Sequence, residues 1–170
     1  TILKFIKPET KKQEFFEKYN YEQSVSIHFR LGDYKMLENQ YMLLPTTYYI
    51  NALGHIVSKT AKNNWQIIYF CEMEDIDAVA ETISIIKRVF PHMTFEKIDC
   101  RYADWEQMLV MSLCKHNIIA NSTFSWWGAY FNTNNFSITC YPNKWFGPSF
   151  VNKNTEDLFP INWIEVQCDL

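Results

Sequence analysis

Cysteine is present without pattern: five residues, at positions 71, 100, 114, 140 and 168, form no C-x-x-C pair. That excludes the usual signatures of a zinc site and of a disulfide framework, and it fits a reducing compartment. No stretch approaches the roughly 18 consecutive apolar residues of a membrane span, and the opening TILKFIKPETKK is too polar for a signal h-region. No membrane association is therefore expected of this chain, and a cytoplasmic location is the expectation. An excess of positive charge is missing too. Sixteen Lys and Arg stand against nineteen Asp and Glu, for a net charge of -3, so nucleic acid is not an expected partner and any anionic ligand must be held locally. Internal repeats and low-complexity segments are also lacking.

What is there suits one sizeable core: 170 residues, 48% of them hydrophobic. Residues 24–30, SVSIHFR, alternate in the manner of a strand and stop at Leu31-Gly32-Asp33. Residues 46–61 space Tyr49, Ile50, Leu53, Ile56 and Val57 as an amphipathic helix does. A buried strand is expected over 65–71, a helix over 75–90, a short strand over 93–98 and a third helix over 103–116. A strand at 117–120 then leads into Asn121-Ser122-Thr123-Phe124-Ser125. A last helix at 126–132 and a strand at 136–141 precede a tail rich in Pro, Asn and aromatics. Alternating strands and helices predict an α/β fold, a Rossmann-like parallel sheet with helices on both faces. The expected division is 1–23 as an exposed N-terminal helix or linker, 24–150 as the Rossmann-like domain, and 151–170 as a tail packing on it.

Two segments carry chemistry. In His28-Phe29-Arg30-Leu31-Gly32-Asp33-Tyr34, the basic pair at alternate strand positions points to one side, and Gly32 permits a sharp turn. The guanidinium of Arg30 is suited to clamping phosphate oxygens, although a salt bridge to Asp33 accounts for it equally, as a hydrogen-bonded core histidine does for His28. In Asn121 to Gly128, hydroxyl side chains occupy a strand-to-helix turn. Free N–H groups there can receive a diphosphate, or Ser and Thr can simply cap the helix above two core tryptophans.

The segments HFRLGDY and CKHNIIANSTFSWWGAYFN, with DWEQMLVMSLC before the second and PNKWF after it, resemble the signature segments of the α-1,2-fucosyltransferases, glycosyltransferase family 11. The resemblance covers about residues 24–146, the C-terminal donor-binding portion of a two-part architecture. It implies a fold like the donor-binding half of a GT-B glycosyltransferase, binding GDP-fucose and transferring L-fucose with inversion to a glycan acceptor, galactose O2. Neither a metal nor another cofactor is implied. By the same resemblance, Arg30 is the catalytic group that stabilises charge on the departing GDP. His28 contacts the nucleotide or positions Arg30, and Asp33 orients Arg30 or meets sugar hydroxyls. Asn121, Ser122, Thr123, Phe124 and Ser125 form the diphosphate turn. Gln107 stands where relatives commonly carry an acid able to pair with guanine, Leu31 where many carry a second arginine, and Cys71-Glu72-Met73 where Ser-Asp-Asp is frequent.

Asp75-Ile76-Asp77 spells the D-x-D of metal-dependent glycosyltransferases, but acids in a first helical turn are favoured anyway, so surface charge is the expected reading. The sequons at Asn121 and Asn135 are read as chance. A rival reading from another class is a non-catalytic module that binds a nucleotide sugar, or merely a partner, without transfer.

Overall fold

The structure, a computed structural model, describes residues 9–169. Six strands form one parallel sheet: β1 (Ser24–His28), β2 (Gln66–Phe70), β3 (Thr94–Lys97), β4 (His116–Ile118), β5 (Thr139–Pro142) and β6 (Ile164–Val166). They lie in the order β3-β2-β1-β4-β5-β6. The helices are α1 (Glu9–Lys18), α2 (Thr46–Thr60), α3 (Ile76–Val89), α4 (Asp104–Leu113) and α5 (Thr123–Tyr130). The chain winds outward from β1 to β3, then crosses back to begin again on the other side of β1. The order therefore reverses between β1 and β4, and a crevice is left beyond their carboxyl ends.

β1 is the central strand, registered on Ile67 and His116 through Val25, and all five of its residues are buried. Val25 and Ile27 pack with Leu53 and Ile56 of α2 and Val79 and Ile83 of α3. Across the sheet, Ile68 and Phe70 of β2 pack with Leu109 and Val110 of α4 and with Phe15 of α1. Each such side chain contributes about 1.5–3 kcal/mol by leaving water. The serines of β1 sit in this interior because each finds a partner. Ser24 Oγ donates to the Tyr21 carbonyl at 3.0 Å, and Ser26 Oγ accepts from Asn117 Nδ2, opposite it on β4, at 2.7 Å.

The elements follow the hydrophobic periodicity, and three differences have physical causes. Residues 9–18 form a helix whose described side chains are exposed except for Phe15, which with Tyr19 just beyond the helix is buried (0% and 2% exposed) against the apolar face of α4. The first eight residues of the expected N-terminal segment lie outside the described residues. Within the described residues 151–169, Leu158, Phe159, Trp163, Val166 and Cys168 pack on the domain, and the segment also supplies β6, which extends the sheet through Cys140↔Ile164 and Pro142↔Val166. Only three residues long, that strand is too short to show an alternation. Finally, α5 begins at Thr123, not at 126: Ser122 is extended (φ -137°, ψ 132°) and the residues after it are already helical.

Candidate active site

The first chemical segment leaves the end of β1 in extended backbone, Phe29 N–H donating to the Phe70 carbonyl at 2.8 Å. His28 is buried, its Nδ1 has no hydrogen-bond partner among the described residues, and its ring lies 5.5 Å from that of Phe124. Burial, with the Arg30 charge adding to it, holds the His28 imidazole down at a pKa of about 3, so it is neutral near pH 7. Arg30 is 28% exposed and is gripped by two carboxylates: Nη2 donates to Asp33 Oδ1 at 2.6 Å and Nη1 to Glu72 Oε1. Its guanidinium also stacks over Tyr34, 5.3 Å from the ring centroid.

The turn that follows is fixed from below. Gly32 takes φ +33°, a conformation that favours glycine, and the end of the Glu72 side chain lies 3.1 Å from where a Cβ would stand. Its N–H donates to Asp75 Oδ2 at 2.8 Å, while Asp75 Oδ1 accepts from Lys35 at 2.5 Å. Asp75 is 0% exposed. The expectation of a surface charge is thus wrong for this residue: as the residue preceding α3 it points inward, where an N–H and an ammonium compensate its charge. Asp77 is exposed.

The second segment meets the first through two contacts, Phe124 against His28 and the Tyr34 hydroxyl donating to the Asn121 carbonyl at 3.0 Å. Asn121 has its amide nitrogen engaged and its Oδ1 without a hydrogen-bond partner among the described residues. Its Nδ2 donates to the carbonyls of Met42 and Trp145 at 2.9 and 3.0 Å, pinning the loops around 42 and 145 to the end of β4. Ser125 also turns inward, its buried hydroxyl facing the Ala120 and Ser122 carbonyls. The side-chain donors of these two residues thus face backbone carbonyls. Ser122 is nearly buried and makes no side-chain cap bond, and Thr123 is exposed, so the first-turn N–H groups of α5 are not capped by the Ser122 hydroxyl.

Between these segments lies a cavity of about 410 Å³. His28, Arg30, Gln107 and Phe124 line it, bringing together four of the residues singled out from the sequence. The remainder of its wall comes from Phe70, Cys71, Glu72, Met73, Cys100 and Asp104. Sequence reasoning met Glu72 only within Cys71-Glu72-Met73 and Asp104 only as the first residue of DWEQMLVMSLC, and singled out neither as a site residue; their places, just after β2 and at the start of α4, mark them. Burial raises the Cys71 thiol to a pKa of about 11, so it is protonated and inert near neutrality. The arrangement can hold an anion against Arg30, beside a neutral imidazole and aromatic walls, in a space of the size usual for small ligands.

A family model described as glycosyl transferase family 11 matches residues 6–167. The chain belongs to glycosyltransferase family 11. Among curated relatives of this family 11 member are the O-antigen biosynthesis glycosyltransferase WbnK of Escherichia coli, 33% identical over 84% of this chain and 44% of its own, and an alpha-1,2-colitosyltransferase of Escherichia coli, 31% identical over 85% and 48%. The family 11 chain thus spans about half the length of the relatives it matches. Among solved structures, that of E. coli ADP-heptose LPS heptosyltransferase II superposes with a TM-score of 0.54 at 10% identity, covering 94% of this chain and 43% of the other. That likeness shows the GT-B-like fold. Among the described residues, no helix is long and apolar enough to cross a membrane.

Proposed function

We propose that the protein binds GDP-fucose in the cavity at the end of β1 and takes part in transferring L-fucose, with inversion and without a metal, to O2 of a galactose-terminated glycan. The observation that carries the reading is Arg30 beyond the end of β1, lining one cavity with a neutral His28 and with Phe124 of the first turn of α5. Family 11 membership supports glycosyl transfer, and the resemblance of the two segments supports fucose.

In this mechanism the acceptor hydroxyl attacks the anomeric carbon from the face opposite GDP. The carbon–oxygen bond to the β-phosphate breaks as the new glycosidic bond forms and the hydroxyl proton is lost. Negative charge gathers on the β-phosphate, where Arg30 and the first-turn N–H groups of α5 act as donors already in place. Binding must exchange the grip of Glu72 and Asp33 on Arg30 for one on the diphosphate. Both carboxylates are well exposed, so water can take over their solvation.

The test is acceptor-dependent release of GDP from GDP-fucose in the presence of EDTA, with a donor panel that includes a colitosyl donor, since one relative is named for colitosyl transfer. Arg30→Ala should cost on the order of 10²–10³ in rate, equivalent to about 3–4 kcal/mol. Retention of most of the rate by the variant would refute the role of Arg30. Loss of activity in EDTA would refute the metal-free mechanism. Donor binding without any acceptor-dependent release would instead make this chain a nucleotide-sugar-binding module.

A further inference from the structure

A second cavity, of about 330 Å³, lies at the β5–β6 edge of the sheet. It shares no lining residue with the cavity around Arg30, which is beyond the ends of β1, β2 and β3. Its walls are rings. Tyr141 of β5 stacks on Phe159 with centroids 3.7 Å apart, Trp145 meets Phe159 edge-on at 5.3 Å, and Trp163 lies 6.4 Å from the same ring. The aromatic surface does not stop there. Trp163 is 5.6 Å from Trp126, which stacks on Tyr130 at 4.8 Å, and Tyr130 is 53% exposed. A belt of rings thus runs from the cavity to the outer face of α5.

The polar groups among these rings distinguish the place from a plain apolar contact face. Glu165, opposite Tyr141 in register, lines the cavity and makes no hydrogen bond or ion pair among the described residues; Glu156 lines it as well. Burial, with the Glu165 charge adding to it, raises the pKa of the Tyr141 phenol and keeps it a donor. The indole N–H groups of Trp145 and Trp163 have no partner among the described residues, whereas that of Trp126 donates to the Leu158 carbonyl at 2.8 Å. Among the described residues no Lys, Arg or His lines this cavity, so it is not built for an anion. A pyranose matches the set. Its C–H face lies on aromatic surface, while its hydroxyls accept from phenol and indole and donate to carboxylate.

We propose that this cavity and the belt beside it form a second carbohydrate site, which holds a neutral hexopyranose of the glycan at a distance from the reacting end. Only the choice of a galactose-containing glycan rests on the acceptor reading given above. A site of this volume has room for about one sugar ring, and a longer glycan continues along the belt.

Nitrogen-15 NMR of the indole N–H groups, with lactose and a galactose-terminated tetrasaccharide as probes, tests this. The Trp145 and Trp163 signals should shift saturably. Trp65, whose indole donates to the Lys62 carbonyl at the far end of β2, should not move. The tetrasaccharide should bind about tenfold more tightly than lactose, because further units meet the belt. Glu165→Gln, an exposed change on the edge strand, should weaken both by about tenfold, and Tyr130→Ala should weaken the tetrasaccharide alone. Saturating GDP and Arg30→Ala should leave saccharide binding unchanged. The inference is overturned if neither indole shifts, if the shifts survive Glu165→Gln and Tyr130→Ala undiminished, or if tetramethylammonium produces them where saccharides do not. Saccharide binding by a chain that takes no nucleoside diphosphate refutes the donor site and supports this one. GDP binding with silent Trp145 and Trp163 signals removes this inference alone.

Discussion

Asp75→Ala should be among the most damaging single changes outside the apolar core, and its cost can be worked from the turn it supports. The carboxylate is fully buried and accepts from the Gly32 N–H at 2.8 Å. Alanine leaves that buried N–H without an acceptor, a penalty of about 1–3 kcal/mol, and opens a small void where the carboxylate stood. A total of about 2–4 kcal/mol follows. For a chain of this size each kcal/mol moves the thermal midpoint by roughly 2–4 °C, so calorimetry at pH 7 should register a fall of roughly 4–16 °C. Asp77→Ala is the control. That exposed first-turn acid contributes at most a helix-dipole interaction of about 0.3–1 kcal/mol, and its loss should shift the midpoint by no more than about 4 °C. Because Gly32 lies between Arg30 and Asp33, Asp75→Ala should also weaken GDP binding by loosening the turn. Equal, small shifts for the two variants would refute the argument that Asp75 anchors the Arg30 turn.

Phe15→Ala should destabilise by about 3–5 kcal/mol, because the ring is buried against the α4 face, and chemical denaturation should show it as a lower midpoint with a similar slope; a change below about 1 kcal/mol would mean that α1 is not part of the core. Stability should also fall on mild acidification. Burial depresses His28 to about 3 and His116 to about 4, so between those values and about 6.5 the unfolded chain binds more protons than the folded one. The stability these groups contribute is present above pH 6.5 and lost as pH falls, by about 2 kcal/mol for each histidine at pH 5. Denaturation midpoints measured from pH 7.5 to 5 check this, and His28→Gln should flatten the slope; a slope unchanged by that substitution would show that His28 is not buried neutral.

Much of the fold was legible because its parallel strands and amphipathic helices alternate with clean periods. The repeating apolar positions of 46–61 and 75–90 define α2 and α3 to within a residue or two. β6 and the burial of Phe15 were not legible, since both depend on contacts between segments distant in sequence, Cys140 with Ile164 and Phe15 with the α4 face. Four lining residues of the site, His28, Arg30, Gln107 and Phe124, were accessible from motif and resemblance. The inward turn of Asn121 and Ser125 was not, because a polar side chain in a loop reads the same whether it meets a ligand or a backbone carbonyl. Glu72, Asp75 and Asp104 show the same limit from the other side: three acids near strand ends, one pairing with Arg30, one buried under a turn, one lining the cavity unpaired.

The central claim, that the end of β1 holds the diphosphate of a nucleotide sugar through Arg30 without a metal, is tested most directly by calorimetry of GDP and GDP-fucose binding in EDTA. The account predicts micromolar binding to the chain and its collapse in a folded Arg30→Ala variant. Undiminished binding by that variant, or no binding by the folded wild-type chain, would contradict it.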